Sequence, residues 1–383
     1  MNRHTRRKRL VCDVRPKNIR PVIEWAVCNY RETHLMSPFD RFLHCFVVVV
    51  LAAVFLVVEP ARTLGQGTTF GQGKGSRPAE NGIQFGEENV QRWQVGIKIR
   101  ANGHCRGIFA TAPIPTDWPE QQVVILEEDV SPEIRSLSYR TLENGVKQMV
   151  VTIPQLAAGR TAHALVTVEV RRKQILAPKN GLLFIKPKKM PTAVRKFLTS
   201  SPFIETRNRE IKLLAREIYR DLPETTPVWN QVAAMYDWVR DNIEYKNGKL
   251  KGAAAALKDK TGDCEELTSL FIALCRINGI PARTVWVPNH CYPEFYLQDD
   301  YGNGYWIPCQ AAGTRDFGSM PDTRPVLQKG DNFKVPEIRE KKRYVAEYLR
   351  TQSVKGLPPT VNFVRKTVAG EEKKAAFGGF GGF

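Results

Sequence analysis

The sequence predicts an α+β chain: an all-β domain, read as a sandwich, followed by a domain in which a helix packs on a second antiparallel sheet. Three observations carry this. Apolar residues alternate with period two through residues 89–185, the period turns helical from Pro191, and short β-rich runs return after Gly279-Ile280-Pro281. At 383 residues, with 42% apolar and 25% charged residues, the chain can bury a core without metal or disulfides.

Residues 1–61 read as a basic leader followed by an export signal or membrane anchor. Arg3, Arg6, Arg7, Lys8 and Arg9 open the leader, and Cys45 to Val58 is an unbroken apolar run ended by Glu59-Pro60. A run of this length after a basic flank is a signal h-region. Counted back through Phe42, the span 42–58 serves equally as a retained anchor. Both readings place the rest of the chain outside the cytoplasm, as a secreted, periplasmic or membrane-anchored protein. Met36 is an alternative start. Residues 62–88, rich in Gly, Gln and Thr, read as a flexible tether.

In the β-domain, 89–185, Trp93, Val95, Ile97 and Ile99 alternate with polar residues as on a half-buried strand, and Gln122–Leu126 is a second candidate. Ser138–Leu142 and Val146–Ile153 flank Asn144-Gly145, a hairpin signal because both turn positions tolerate positive φ. Ala164–Val170 is another β-rich run. His104, Cys105 and His163 lack metal-ligand spacing and read as loop or core residues.

The second domain spans 191–325. Ile211, Leu214, Ala215, Ile218 and Leu222 line one helical face, and Val228, Val232, Met235, Tyr236, Val239 and Ile243 line another after Thr226-Pro227. Ala253–Leu257 predicts a short helix. A third long helix opens at Asp263-Cys264-Glu265-Glu266, with Asp263 as cap and Glu266 as its capping-box partner. Strands follow at Arg283–Val287, His290–Leu297 and Tyr305–Gln310, with a turn at Asp299–Gly302. Residues 326–383 form a C-terminal extension with a helical patch at Lys341–Leu349 and a low-complexity, disordered Phe/Gly end.

The chemistry concentrates between Thr261 and Gly313. A helix N-terminus lowers the pKa of a thiol at Cys264. Asp263, Glu265 and Glu266 oppose that effect, so an imidazolium must add to it, and His290 is the sole histidine after His163. A hairpin turning near residue 300 sets His290 opposite Gln310 on one face and Cys291 opposite Cys309 on the other. The second pair is a candidate disulfide in an oxidising compartment. Five cysteines lie beyond the apolar run, an odd number that leaves one free, and Cys264 is the natural free one. A zinc site from Cys264, Cys275, Cys291 and Cys309 competes with this reading, but no Cys-x-x-Cys pair supports it.

This segment resembles the transglutaminase-like superfamily, relatives of the papain-type cysteine enzymes. The residues that carry the resemblance are Tyr245, Gly262-Asp263-Cys264, Gly279-Ile280-Pro281-Ala282-Arg283, His290 with Glu294-Phe295-Tyr296-Leu297, and Trp306-Ile307-Pro308-Cys309-Gln310. The resemblance implies an α+β core with Cys264 as nucleophile and His290 as general base and acid. The third family position, an acid in most members, falls on Gln310, where an amide can only orient the ring. Asp263 and Tyr245 take supporting roles. The implied function is an exported cysteine enzyme that acts on amide bonds through a thioester, as a peptidase, deamidase or glutamine acyltransferase. The alternative is a catalytically weak relative that binds or scaffolds in the cell envelope. No cofactor or metal is implied, and no calcium loop is recognisable. A protein or peptide is the expected substrate. The net charge of +18 favours anionic partners such as an envelope polymer or a membrane surface. Without an aromatic–basic signature, nucleic acid is not an expected partner.

Overall fold

The computed structural model describes residues 82–368. The basic leader, the apolar run at 42–58, most of the Gly/Gln/Thr segment and the Phe/Gly end lie outside the described residues. Among the described residues, no helix is long and apolar enough to cross a membrane.

Six strands open the described chain: β1 (Gln84–Arg100), β2 (His104–Ile114), β3 (Gln121–Val130), β4 (Ser136–Thr141), β5 (Lys147–Leu156) and β6 (Thr161–Leu176). Three more come from the far end: β13 (Tyr348–Arg350), β14 (Ser353–Lys355) and β15 (Thr360–Val368). They form two antiparallel sheets, ordered β15-β1-β6-β3 and β13-β2-β5-β4, with β14 also on β2. Val95, Ile97 and Ile99 of β1, Ile108 and Ala110 of β2, Val151 and Ile153 of β5, and Val166 and Val168 of β6 fill one core between them. That is the period-two face of each strand turned inward. The β4–β5 hairpin turns through Asn144 and Gly145 at φ 63° and 76°, the positive values that Asn and Gly tolerate best.

Two expectations about this region change. The tether does not reach residue 88, because β1 begins at Gln84 and its first residues already pair with β6, across a register shift between Phe85 and Glu88. Nor is the C-terminal extension helical at Lys341–Leu349. Tyr348 and Leu349 lie in β13, opposite Thr111 and Ala110. Here sheet pairing with a distant strand overrides a weak local period.

The second region begins with the short α1 (Thr192–Arg195) and continues through α2 (Arg209–Arg220), α3 (Val228–Asn242), β7 (Glu244–Tyr245), α4 (Ala253–Asp259), β8 (Thr261–Gly262) and α5 (Cys264–Ile277). Then come β9 (Ala282–Val287), β10 (His290–Gln298), β11 (Gly304–Pro308) and β12 (Gln328–Lys329), ordered β11-β10-β9-β12. Helix α5 is buried nearly all round. Its Leu270, Phe271 and Leu274 share one core with Ile211 and Leu214 of α2, Val232 and Tyr236 of α3, and Phe295 and Leu297 of β10. Helices on one side and sheet on the other explain why its residues from Glu266 to Arg276 are all buried, polar ones included.

The β10–β11 hairpin turns one residue later than the sequence places it. Asp299 N–H donates to Asn303 O at 2.9 Å, and the Asp299 carboxylate accepts from Tyr301 N–H at 3.0 Å and Asn303 N–H at 2.8 Å. The turn therefore centres on Tyr301, and Glu294 faces Pro308.

Buried charges tie the sheet to its surroundings. Lys329 Nζ sits 2.7 Å from both Glu120, ahead of β3, and Glu294 of β10, while Arg283 reaches Glu294 at 2.8 Å. Arg172 of β6 donates to Tyr292 Oη of β10 at 2.8 Å. Lys329→Met would leave Glu120 buried without a cation. Removing one partner of such a pair costs about 3–5 kcal/mol, so urea denaturation should show a loss of that order.

Candidate active site

The start of α5 is built by reciprocal capping. The Asp263 carboxylate accepts from Glu265 N–H at 2.8 Å, and the Glu266 carboxylate accepts from Asp263 N–H at 3.1 Å. Glu266 also accepts from Lys251 N–H at 2.9 Å, which fixes the loop entering α4. β8 feeds this cap and pairs with β7, Gly262 opposite Tyr245. A Cβ at Gly262 would stand 2.5 Å from that of Glu266, so this position has no room for a side chain. The result is a half-buried Cys264 at the first helical position.

His290 opens β10 after Asn289, which takes φ 58°. Its Nε2 lies 3.0 Å from Gln310 Oε1. The amide carbonyl accepts, so Nε2 carries the proton and Nδ1 is left for the Cys264 sulfur, to which the ring is hydrogen-bonded. Gln310 is held by its own main chain. Its N–H donates to Asp316 O at 2.8 Å, and Arg240 of α3 donates to its carbonyl at 2.8 Å. Because the hairpin centres on Tyr301, Gln310 does not face His290 as a strand partner. β11 has ended at Pro308, and the bend held by Arg240 and Asp316 brings the amide to the ring.

β11 pairs only with Glu294–Gln298 of β10, which leaves the first residues of β10 unpaired on that side. There the main-chain N–H and the thiol of Cys291 both hydrogen-bond the Cys264 sulfur. Cys291 Sγ is also 3.5 Å from Cys264 O. The hydrogen bond from the Cys291 thiol does most to hold the Cys264 pKa down, burial opposes it, and His290 adds to the lowering, to about 4. Burial works against charge on His290, yet its hydrogen bonds to Cys264 and Gln310 hold its pKa above the ordinary imidazole value. Thiolate and imidazolium therefore coexist from about pH 4 to above the usual imidazole midpoint.

The candidate disulfide is corrected. Cys291 and Cys309 are both free. Cys291 turns to Cys264, whereas Cys309 lies in the helical core with Cys275. The later turn sets Cys309 beside Pro293, with Cys309 N–H donating to Pro293 O at 3.1 Å. Tyr245 is 53% exposed, and its hydroxyl donates to Asn247 at 3.2 Å rather than to the sulfur. Two neighbours went unnoticed in the sequence. Arg343, from the segment before β13, pairs with Glu265 and lies over the Trp286 ring at 5.1 Å. The other is Cys291 as a partner of Cys264. Strand alternation gave no signal for it, because it sets Cys291 on the face opposite His290.

Residues 214–311 match the family model of the transglutaminase-like superfamily, which bears out the resemblance over that span. No curated protein matches the chain. Among solved structures, a candidate cysteine protease from Cytophaga hutchinsonii is similar at TM-score 0.50 and 17% identity, covering 76% of this chain and 94% of that one. That likeness shows a shared α+β fold. The periplasmic domain of TgpA from Pseudomonas aeruginosa bound to ethylmercury matches at TM-score 0.30 and 15% identity, covering 58% of this chain and 89% of that one.

The His290–Gln310 bond makes a direct prediction. Gln310→Ala removes an acceptor that favours the imidazolium and should lower the NMR titration midpoint of the His290 ring by about one pH unit. Gln310→Glu puts a carboxylate at the same reach and should raise that midpoint.

Proposed function

From the transglutaminase-like core at 214–311, we propose that the protein is an exported cysteine enzyme that attacks amide bonds of protein or peptide substrates through a thioester. One observation carries this: Cys264, His290 and Gln310, from a helix start, a strand start and a bend, form one hydrogen-bonded chain. The Cys264 thiolate attacks the amide carbonyl and an S–C bond forms. The Cys264 N–H, at the first helical position, has no carbonyl within the helix to bond and is free to hold the oxyanion. His290 gives its proton to the leaving amine as the C–N bond breaks. A water then attacks the thioester, losing its proton to His290, and the thiolate is released. An amine in place of water gives cross-linking, but water is always at hand, which favours hydrolysis. Asp263 supports the site by holding the helix start, and Tyr245 lines its approach.

The alternative, a catalytically weak transglutaminase-like binding or scaffold protein of the envelope, rests on an amide at the third position. The 3.0 Å His290–Gln310 contact supports the active reading, because an amide oxygen there still fixes the tautomer. Export rests on the apolar run at 42–58 after its basic flank. An anionic envelope partner is supported by the shallow basic cleft of Arg207, Arg209, Lys212 and Arg216.

The test is incubation of a peptide mixture in heavy-oxygen water with wild type and with Cys264→Ala. Heavy oxygen at new C-termini identifies a peptidase, and at glutamates derived from glutamine a deamidase. Amine-linked products identify acyl transfer. Wild-type products no different from those of Cys264→Ala would refute the proposal.

A further inference from the structure

We propose that Arg240 of α3 is a positioning residue for the reaction: it fixes the main chain of Gln310, and through it the amide that orients His290. This rests on the proposed roles of His290 and Gln310. Gln310 lies beyond the end of β11 at Pro308, at the base of a loop, 310–316, that is closed where Cys309 bridges Phe317. Three carbonyls of that loop turn to one guanidinium. Arg240 Nη1 donates to Gln310 O at 2.8 Å and Thr314 O at 3.5 Å, and Nη2 donates to Gly313 O at 2.7 Å. The Asp237 carboxylate, one turn earlier on α3, is occupied by Arg315 at 2.9 and 3.0 Å, which leaves the Arg240 fork to the carbonyls. Arg240 also lies over the Tyr236 ring at 5.4 Å, and the Tyr236 hydroxyl donates to Asp316 O at 3.2 Å.

The need for such a holder follows from the residue type at 310. A carboxylate there would act on an imidazolium through its charge, which falls off slowly with distance. An amide acts through one hydrogen bond, which weakens steeply with distance and angle. The 3.0 Å contact from His290 Nε2 to Gln310 Oε1 therefore tolerates little movement of the chain that carries the amide. Lysine would not serve equally at 240. A single ammonium cannot reproduce a planar fork whose two arms hold carbonyls of residues 310 and 313.

The charge of Arg240 and its hydrogen bonds predict opposite effects on His290. A cation near the ring disfavours imidazolium, so loss of charge alone would raise the ring's titration midpoint. Loss of the Gln310 acceptor lowers it. The other charged groups that act on the ring are Cys264 of α5 and Arg324. Arg324 donates to Pro288 O at 3.0 Å and pairs with Asp322 at 2.6 Å. Among the described residues neither bonds to Arg240, so substitution there leaves both in place.

The experiment is NMR titration of the His290 ring in the full chain, for wild type, Arg240→Lys, Arg240→Met and Arg315→Met. Arg240→Lys keeps the charge and guards against loss of folding. It should lower the midpoint by about one pH unit, the fall expected of Gln310→Ala. Arg240→Met should lower it less, because the lost cation offsets part of the fall. In a Gln310→Ala background Arg240→Lys should bring no further fall, since the amide it acts through is gone. Arg315→Met frees the same loop from Asp237 without touching Gln310, and should leave the midpoint in place. A midpoint that Arg240→Lys does not lower overturns the proposal. So does a further fall in the Gln310→Ala background, or an equal fall in Arg315→Met. A wild-type midpoint that Cys264→Ala fails to move overturns the thiolate–imidazolium pair instead, and leaves the placement of Gln310 by Arg240 standing.

Discussion

Negative charge on the Cys264 sulfur has to form among carboxylates. Asp263, Glu265 and Glu266 surround the start of α5, and the helix N-terminus offsets them by only about 0.3–1 kcal/mol. What tips the balance lies across the gap on β10, an imidazole that takes the proton and donors that receive the charge. Every other feature of the site serves to bring the end of one strand against the start of one helix. The capping box engages Asp263 and Glu266 in main-chain hydrogen bonds, and Arg343 pairs with Glu265. The three acids thus hold the helix start in place while contributing less to repulsion than their number implies.

The position of β10 is in turn set from behind. Glu294 is clamped by Lys329 and Arg283, and Tyr292 by Arg172. These contacts lie along one face of the strand; Arg172 comes from the β-domain, and Lys329 also meets Glu120 there. Buried ion pairs of this kind add little net stability, but they penalise any other arrangement heavily. A strand whose first residue must meet a sulfur within hydrogen-bond reach benefits more from that selectivity than from extra apolar contact. The β-domain therefore acts as the support against which the site's sheet is registered.

Local signals made much of this legible. The capping box, the hairpin at Asn144-Gly145 and the buried stripe of α5 all depend on neighbours within a few residues, and all appear where the pattern put them. The pairing of His290 with Gln310 was reached from a hairpin register one residue off centre. It holds for a different reason, a bend fixed by Arg240 and Asp316 that no strand periodicity encodes. The same register error suggested a bond between Cys291 and Cys309 and hid the contact of Cys291 with Cys264. What stayed illegible is nonlocal. β13–β15 return from the far end of the chain to the first sheets, and Glu120, Lys329 and Glu294 meet although each looks in the sequence like an ordinary surface charge. Buried charge has no composition signature, because the partner that licenses it lies far along the chain.

The claim on which all of this depends is that sulfur and imidazole share charge. It is tested most directly by NMR titration of the His290 ring in wild type and in Cys264→Ala. The wild-type ring should titrate above about 6.5, the free imidazole value. In Cys264→Ala it should titrate clearly lower, because burial is then opposed by Gln310 alone. The same midpoint in both proteins would contradict the account, since the ring would then be insensitive to the atom it is meant to activate.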